Sequence, residues 1–128
     1  MASGIIEKHM GGMKHTTTVT PLTTTGVTFG SNLDLVRIGN VVSIYCDMNI
    51  TIDSANANVY INLADIPYGY RPAKQLSISG STYVSAEQKG FFRVRFPNNT
   101  TQAYLNLTFV GVQTVSFVLT YLTEDREP

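Results

Sequence analysis

Catalysis and metal binding need reactive side chains that converge, and this chain carries few that could. Its histidines, His9 and His15, sit close together in a strand-like N-terminal segment, and its single cysteine, Cys46, lies far along the chain. A metal site wants several ligands at compatible spacing, and this set does not supply them. Asp34, Asp47, Asp53 and Asp65 are scattered, without the dense alternation of a calcium loop. No glycine-rich phosphate loop precedes a helix, and no serine sits on a nucleophile elbow. The carboxylates do not nominate an acid–base pair. The expectation is a protein with no catalytic activity, no metal and no cofactor.

What remains is binding. Tyr45 and Tyr60 fall on the polar faces of alternating runs and are expected on neighbouring strands. Arg93 and Arg95 share an outward face with Phe91. A flat patch of Tyr, Asn and Arg can stack on sugar rings and hydrogen-bond their hydroxyls. The same residue types favour subunit interfaces, and of the two readings the interface is preferred. A plainer account of the tyrosines also stands, because aromatics stabilise sheets through cross-strand pairs.

These residues depend on strands to position them, and the chain's dominant signal has a period of two. From Val42 to Ile52 the even positions are Val, Ile, Cys, Met, Ile and Ile, while the odd ones are polar or aromatic. That is a long strand with one buried face, on which Cys46 is a small core residue. The alternation recurs at Leu33–Leu35, Val59–Leu63, Phe92–Phe96, Leu105–Phe109 and Val115–Tyr121. No run carries a sustained helical stripe, so little or no helix is expected.

Turn residues separate the runs. Gly39-Asn40 suits a two-residue primed hairpin turn. "DSANAN", "PNNTTQ" and Gly111–Gln113 mark three further connections, the last read as a hairpin. The Thr-rich stretch from Gly11 to Phe29 contains Pro21, which demotes it to an edge strand or a connection. Short strands with frequent turns predict an antiparallel β-sandwich or jelly roll.

The connection "LADIPYGYRPAKQLSISG", Leu63–Gly80, is unusual in holding two tyrosines, an arginine and two prolines. Pro67 and Pro72 fix φ at two points, and Gly69 between them permits a tight turn. A stiff corner results, with Tyr68 and Tyr70 packing and Arg71 satisfying carbonyls or a carboxylate. Direct ligand contact by Tyr68, Tyr70 and Arg71 is the competing reading.

At 128 residues the chain is one domain's worth, long enough to bury a core without disulfides. The domain is expected to span 3–123, with Met1 and Ala2 set apart and 124–128 a loose charged tail. Ser3 opens inside a strand-like pattern, as a piece of a longer protein would. Charged residues are only 14% of the chain and the formal net charge is zero. That balance argues against nucleic acid, which needs a basic footprint, and removes charge repulsion as a guard against self-association. No apolar run approaches the length of a membrane span, and no signal peptide is evident. Asn-X-Thr sequons, such as those at Asn49, Asn99 and Asn106, are read as chance products of an Asn- and Thr-rich composition.

"LVRIGNVVSIYCDMNITI" followed by "IPYGYRPAKQLSISG" resembles the C-terminal head domains of tail and baseplate proteins from phages and prophages of Gram-positive bacteria. "SGIIEKHMGG" is similar to a recurring strand start of such proteins, although this chain lacks the tryptophan often found there. "VSFVLTYLT" is similar to their last strand. The resemblance runs from Ser3 to Thr123. It implies a β-sandwich receptor-binding head, often trimeric, that recognises host cell-wall polysaccharide and sits in the virion with other tail or baseplate proteins. It implies no catalytic motif, and only the corner transfers residue by residue. The alternatives are a structural tail domain of the same fold, and a trimeric jelly-roll adhesion or signalling ligand.

Overall fold

A computed structural model describes residues 13–97 and 101–128. "SGIIEKHMGG" with His9, and Asn99 of its sequon, lie outside the described residues. The described chain is almost wholly antiparallel strand: β1 (Lys14–Val19), β2 (Val27–Phe29), β3 (Leu33–Ile38), β4 (Val41–Ile52), β5 (Tyr60–Asp65), β6 (Leu76–Val84), β7 (Glu87–Phe96), β8 (Gln102–Leu107) and β9 (Gly111–Leu122). Among the described residues the single helical element is a 3-10 turn, Ser54–Asn56, capped by the Asp53 carboxylate.

The strands form one curled sheet in the order β1-β3-β4-β9-β6-β7-β8-β5, with β2 also paired to β4. Strand β4 pairs with β9 from Val41↔Leu122 to Ile52↔Gly111. The link from β9 to β6 is the single residue pair Tyr83↔Thr114. The sheet bends at this weak joint, so that β1–β4 and β9 form one half and β5–β8 the other. Inward rings close the gap between them. Phe92 of β7 stacks on Phe117 of β9 with centroids 5.5 Å apart, and Phe96 meets Tyr121 at 5.8 Å. This is the all-β, sandwich-like fold that the alternation predicts.

The predicted inward positions of β4 are buried, Val42, Ile44, Cys46, Met48, Ile50 and Ile52 among them. Gly39-Asn40 joins β3 to β4 with Ile38 opposite Val41, and Gly39 takes φ 60°, as a primed turn requires of its first residue. β1 lies at the sheet edge, where the nearby proline is tolerated.

Four expectations are corrected. Tyr45 and Tyr60 are not on neighbouring strands, because "DSANAN" carries the chain from one half to the other and β4 and β5 do not pair. Gly111–Gln113 is not a hairpin loop. It opens β9, whose partners are β4 and β6 rather than β8. Leu76–Gly80 is not connection but the start of β6, since its Ser and Gly backbone pairs with β7 all the same. The 124–128 tail is not loose, for reasons that lie in the corner.

Candidate functional site

The corner is built around a buried arginine. Arg37 stands on β3 in phase with Leu33 and Leu35, and only 1% of its surface is exposed. Its Nε donates to Gly39 O at 2.7 Å. Its Nη1 donates to Gly69 O at 2.7 Å and Arg126 O at 3.0 Å. Its Nη2 donates to Asp125 O at 2.8 Å and Asn40 Oδ1 at 3.4 Å. Those contacts use all five donors of the guanidinium, the condition for burying such a group. They also tie the tail to the hairpin and to the corner.

The corner itself is a turn from Pro67 to Tyr70, with Tyr70 N–H donating to Pro67 O at 3.1 Å and Gly69 at φ 102°. A positive φ in the third position belongs to a type II turn and excludes most side chains. The Asp125 carboxylate accepts from Gly69 N at 3.0 Å and Arg71 N at 3.1 Å. Arg71 Nε donates to Ile66 O at 3.0 Å, and its guanidinium lies 5.6 Å from the Tyr68 ring centroid. The Tyr121 hydroxyl donates to Tyr70 O, and burial, helped by the Asp125 charge, pushes its pKa upward. Tyr70 belongs to the core at 4% exposure, whereas Tyr68 is open to solvent. Most of this proline- and tyrosine-rich stretch is thus held by contacts inside the protein, with the Tyr68 ring left at the surface.

Arg93, Arg95 and Tyr60 come together elsewhere, on the outer face of β5–β8–β7–β6. Cross-strand register sets them out in rows. One row runs Tyr60, Asn106, Arg93, Ser79; the next runs Asn62, Tyr104, Arg95, Ser77. Phe91, with 57% of its surface exposed, flanks the first row. The Arg95 guanidinium lies 5.9 Å from the Tyr60 ring centroid. Small serines beside long arginines leave room above the sheet. One open depression of about 380 Å³ is lined by Tyr60, Ser79, Phe91, Arg93 and their neighbours. Another of about 280 Å³ lies against Tyr60, Ser77, Arg93 and Arg95.

This face can stack a flat ring, donate from two guanidinium groups and exchange hydrogen bonds with hydroxyls. Sequence reasoning placed Phe91, Arg93 and Arg95 together but did not single out Tyr104, Asn106 or the serines. Their positions depend on which strands pair, and period-two alternation does not encode that.

Tyr45 lies in the other half, between Asp34 and Val118 in register. Its outer face is mostly polar but carries one apolar row at an end, with Ile38, Val41 and Leu122 side by side and all exposed. Cys46 is buried, and desolvation, with Asp47 adding, pushes its thiol pKa up to about 12. His15 Nε2 lies 3.6 Å from the Glu127 carboxylate. Among the described residues no three His, Cys, Asp or Glu gather where they could hold a metal. Comparison of the chain with protein-family models finds no match, and neither does comparison with curated proteins.

Proposed function

We propose that this chain is the receptor-binding head of a phage or prophage tail or baseplate protein, which adsorbs the virion to host cell-wall saccharides without catalysis. The observation that carries the reading is the Tyr60–Asn106–Arg93–Ser79 row with its open depression. It offers stacking rings and hydrogen-bonding groups on a stiff sheet, which suits a sugar polymer lying across it. The order of the "GNVV", "PYGYRP" and "VSFVLTYLT" segments supports the same reading. In it the chain is made in the bacterial cytoplasm, joins other tail proteins and works as a homotrimer. Low single-site affinity is then multiplied by the number of copies.

The apolar row of Ile38, Val41 and Leu122 is compatible with the oligomer, because an exposed apolar patch gives a protein contact a place to form. It equally favours a second reading, a structural tail domain that meets only other proteins. Labelled protein incubated with Gram-positive cells separates the two. Binding that extracted wall polysaccharide competes away is the expected result. A trimer in solution that binds no cells from a broad strain panel would leave only the structural role.

A further inference from the structure

We infer that the β5–β8–β7–β6 face selects an anionic glycan, one bearing phosphodiester or carboxylate groups, over a neutral one. This rests on the receptor-binding reading and names the ligand chemistry of that site. Arg93 and Arg95 alternate on β7, so they rise from the same face roughly 7 Å apart. Among the described residues the ion pairs are His15–Glu127 and Lys89–Glu87, so neither arginine has a carboxylate partner. Their cross-strand neighbours are Ser77, Ser79, Tyr104 and Asn106, all uncharged. The nearest acid on the strands of this face, apart from the paired Glu87, is Asp65. It stands opposite Gln102 at the far end of β5.

The chain as a whole is neutral, with nine basic and nine acidic residues. Two unpaired guanidinium groups side by side therefore make a local positive field that the rest of this face does not cancel. A neutral polymer offers them hydroxyl acceptors but no countercharge, so its hydrogen bonds there are the weaker kind. An anionic group supplies the countercharge and matches the planar fork of arginine. The two depressions share Tyr60 and Arg93, so one chain can cross both, its sugar rings on Tyr60 and Phe91 and its anions on the arginines.

The test uses the full chain on immobilised mannan, phosphomannan and polygalacturonate, beside the Arg93→Gln/Arg95→Gln variant. Both side chains are exposed, so the variant should fold, and its melting temperature checks this. Retention on phosphomannan or polygalacturonate, with about tenfold weaker binding for the variant, is the expected result. The two anionic arms tell phosphate from carboxylate. Binding should also fall as salt rises to about 0.5 M, where screening is short-ranged. Equal retention on mannan, or full retention by the variant, overturns the inference. So does tighter binding to single-stranded DNA than to either anionic glycan. Cell binding that the variant keeps intact would leave the receptor reading standing while the anionic assignment falls. Phosphomannan binding without cell binding would do the reverse.

Discussion

Replacing Arg37 with methionine should cost about 3–5 kcal/mol, because it takes the donor from several enclosed carbonyls at once, each worth about 1–3 kcal/mol when left bare. The side chain makes five hydrogen bonds, four of them to backbone carbonyls. Methionine fills much of the space but leaves the Gly39, Gly69, Asp125 and Arg126 carbonyls without their donor. The Gly69 carbonyl is the most enclosed and sets the lower end of the range, while water recovers part of the loss at the others. At roughly 3 °C per kcal/mol for a chain of this size, the melting temperature should fall by about 9–15 °C. Removal of 124–128 should itself cost about 2–4 kcal/mol, since it strips the Asp125 acceptor from Gly69 N and Arg71 N. Two of the Arg37 bonds end on that same tail. The double change should therefore cost less than the sum of the single ones, by about 1.5–3 kcal/mol. Urea unfolding followed by far-ultraviolet circular dichroism gives each corner of the cycle, a natural choice in a chain without tryptophan. Two effects that add to within about 0.5 kcal/mol would show that Arg37 does not hold the tail, and would refute the reasoning.

Cys46 should resist alkylation in the folded protein and react readily in urea, because burial holds its pKa at about 12 against an ordinary 9.0. A folded pKa above the unfolded one contributes stability that is full below pH 9.0 and is lost as the pH rises through about 12. Urea midpoints of the wild type should thus decline more steeply in alkali than those of Cys46→Ala, and parallel curves would contradict the assignment. At the β6–β7 turn, Ser85 and Ala86 both take positive φ, at 49° and 65°. Ala86→Gly should relieve that conformation and stabilise the domain by about 0.5–1 kcal/mol, read as a rise in urea midpoint; a fall would contradict it.

Legibility in the sequence followed the physics of each signal. Alternation reports which side of a strand is dry, so the inward faces of β4, β7 and β9 were readable residue by residue. It is silent on partners. Nothing in "DSANAN" says whether the next strand returns to β4 or crosses to the opposite half, so Tyr45 and Tyr60 were joined by expectation and separated by topology. Strand β6 hid for a different reason: the inward phase of "LSISGSTYV" passes through Gly80 and Thr82, and the Phe92 ring fills the space a side chain at Gly80 would need. Its hairpin was concealed too, since Ser85-Ala86 is not a residue pair that usually supplies a primed turn. Arg37 did leave a signal. It occupies the inward phase of "LDLVRI" after Leu33 and Leu35, and a charged residue in phase with a buried face must find partners.

The arginines separate structure from availability more sharply than residue type does. Arg37 spends all five donors on the protein itself. Arg71 commits its Nε to Ile66 O and lies against Tyr68. Arg95 has a ring contact with Tyr60, and neither it nor Arg93 has a carboxylate partner among the described residues. In a buried setting, unspent donors would destabilise the fold, so an arginine kept inside must be saturated. On an exposed face they cost little and stay free to meet a partner. The tyrosines sort the same way, with Tyr70 in the core and Tyr60 at the surface. "PYGYRP" is rich in the residue types that bind sugars, yet apart from the exposed Tyr68 it is turned inward, whereas the sparse alternation of "FFRVRF" leaves its hydrogen-bonding capacity facing solvent. That difference in saturation, more than the density of aromatic and basic residues along the chain, is what favours β7 and its neighbours as the candidate site.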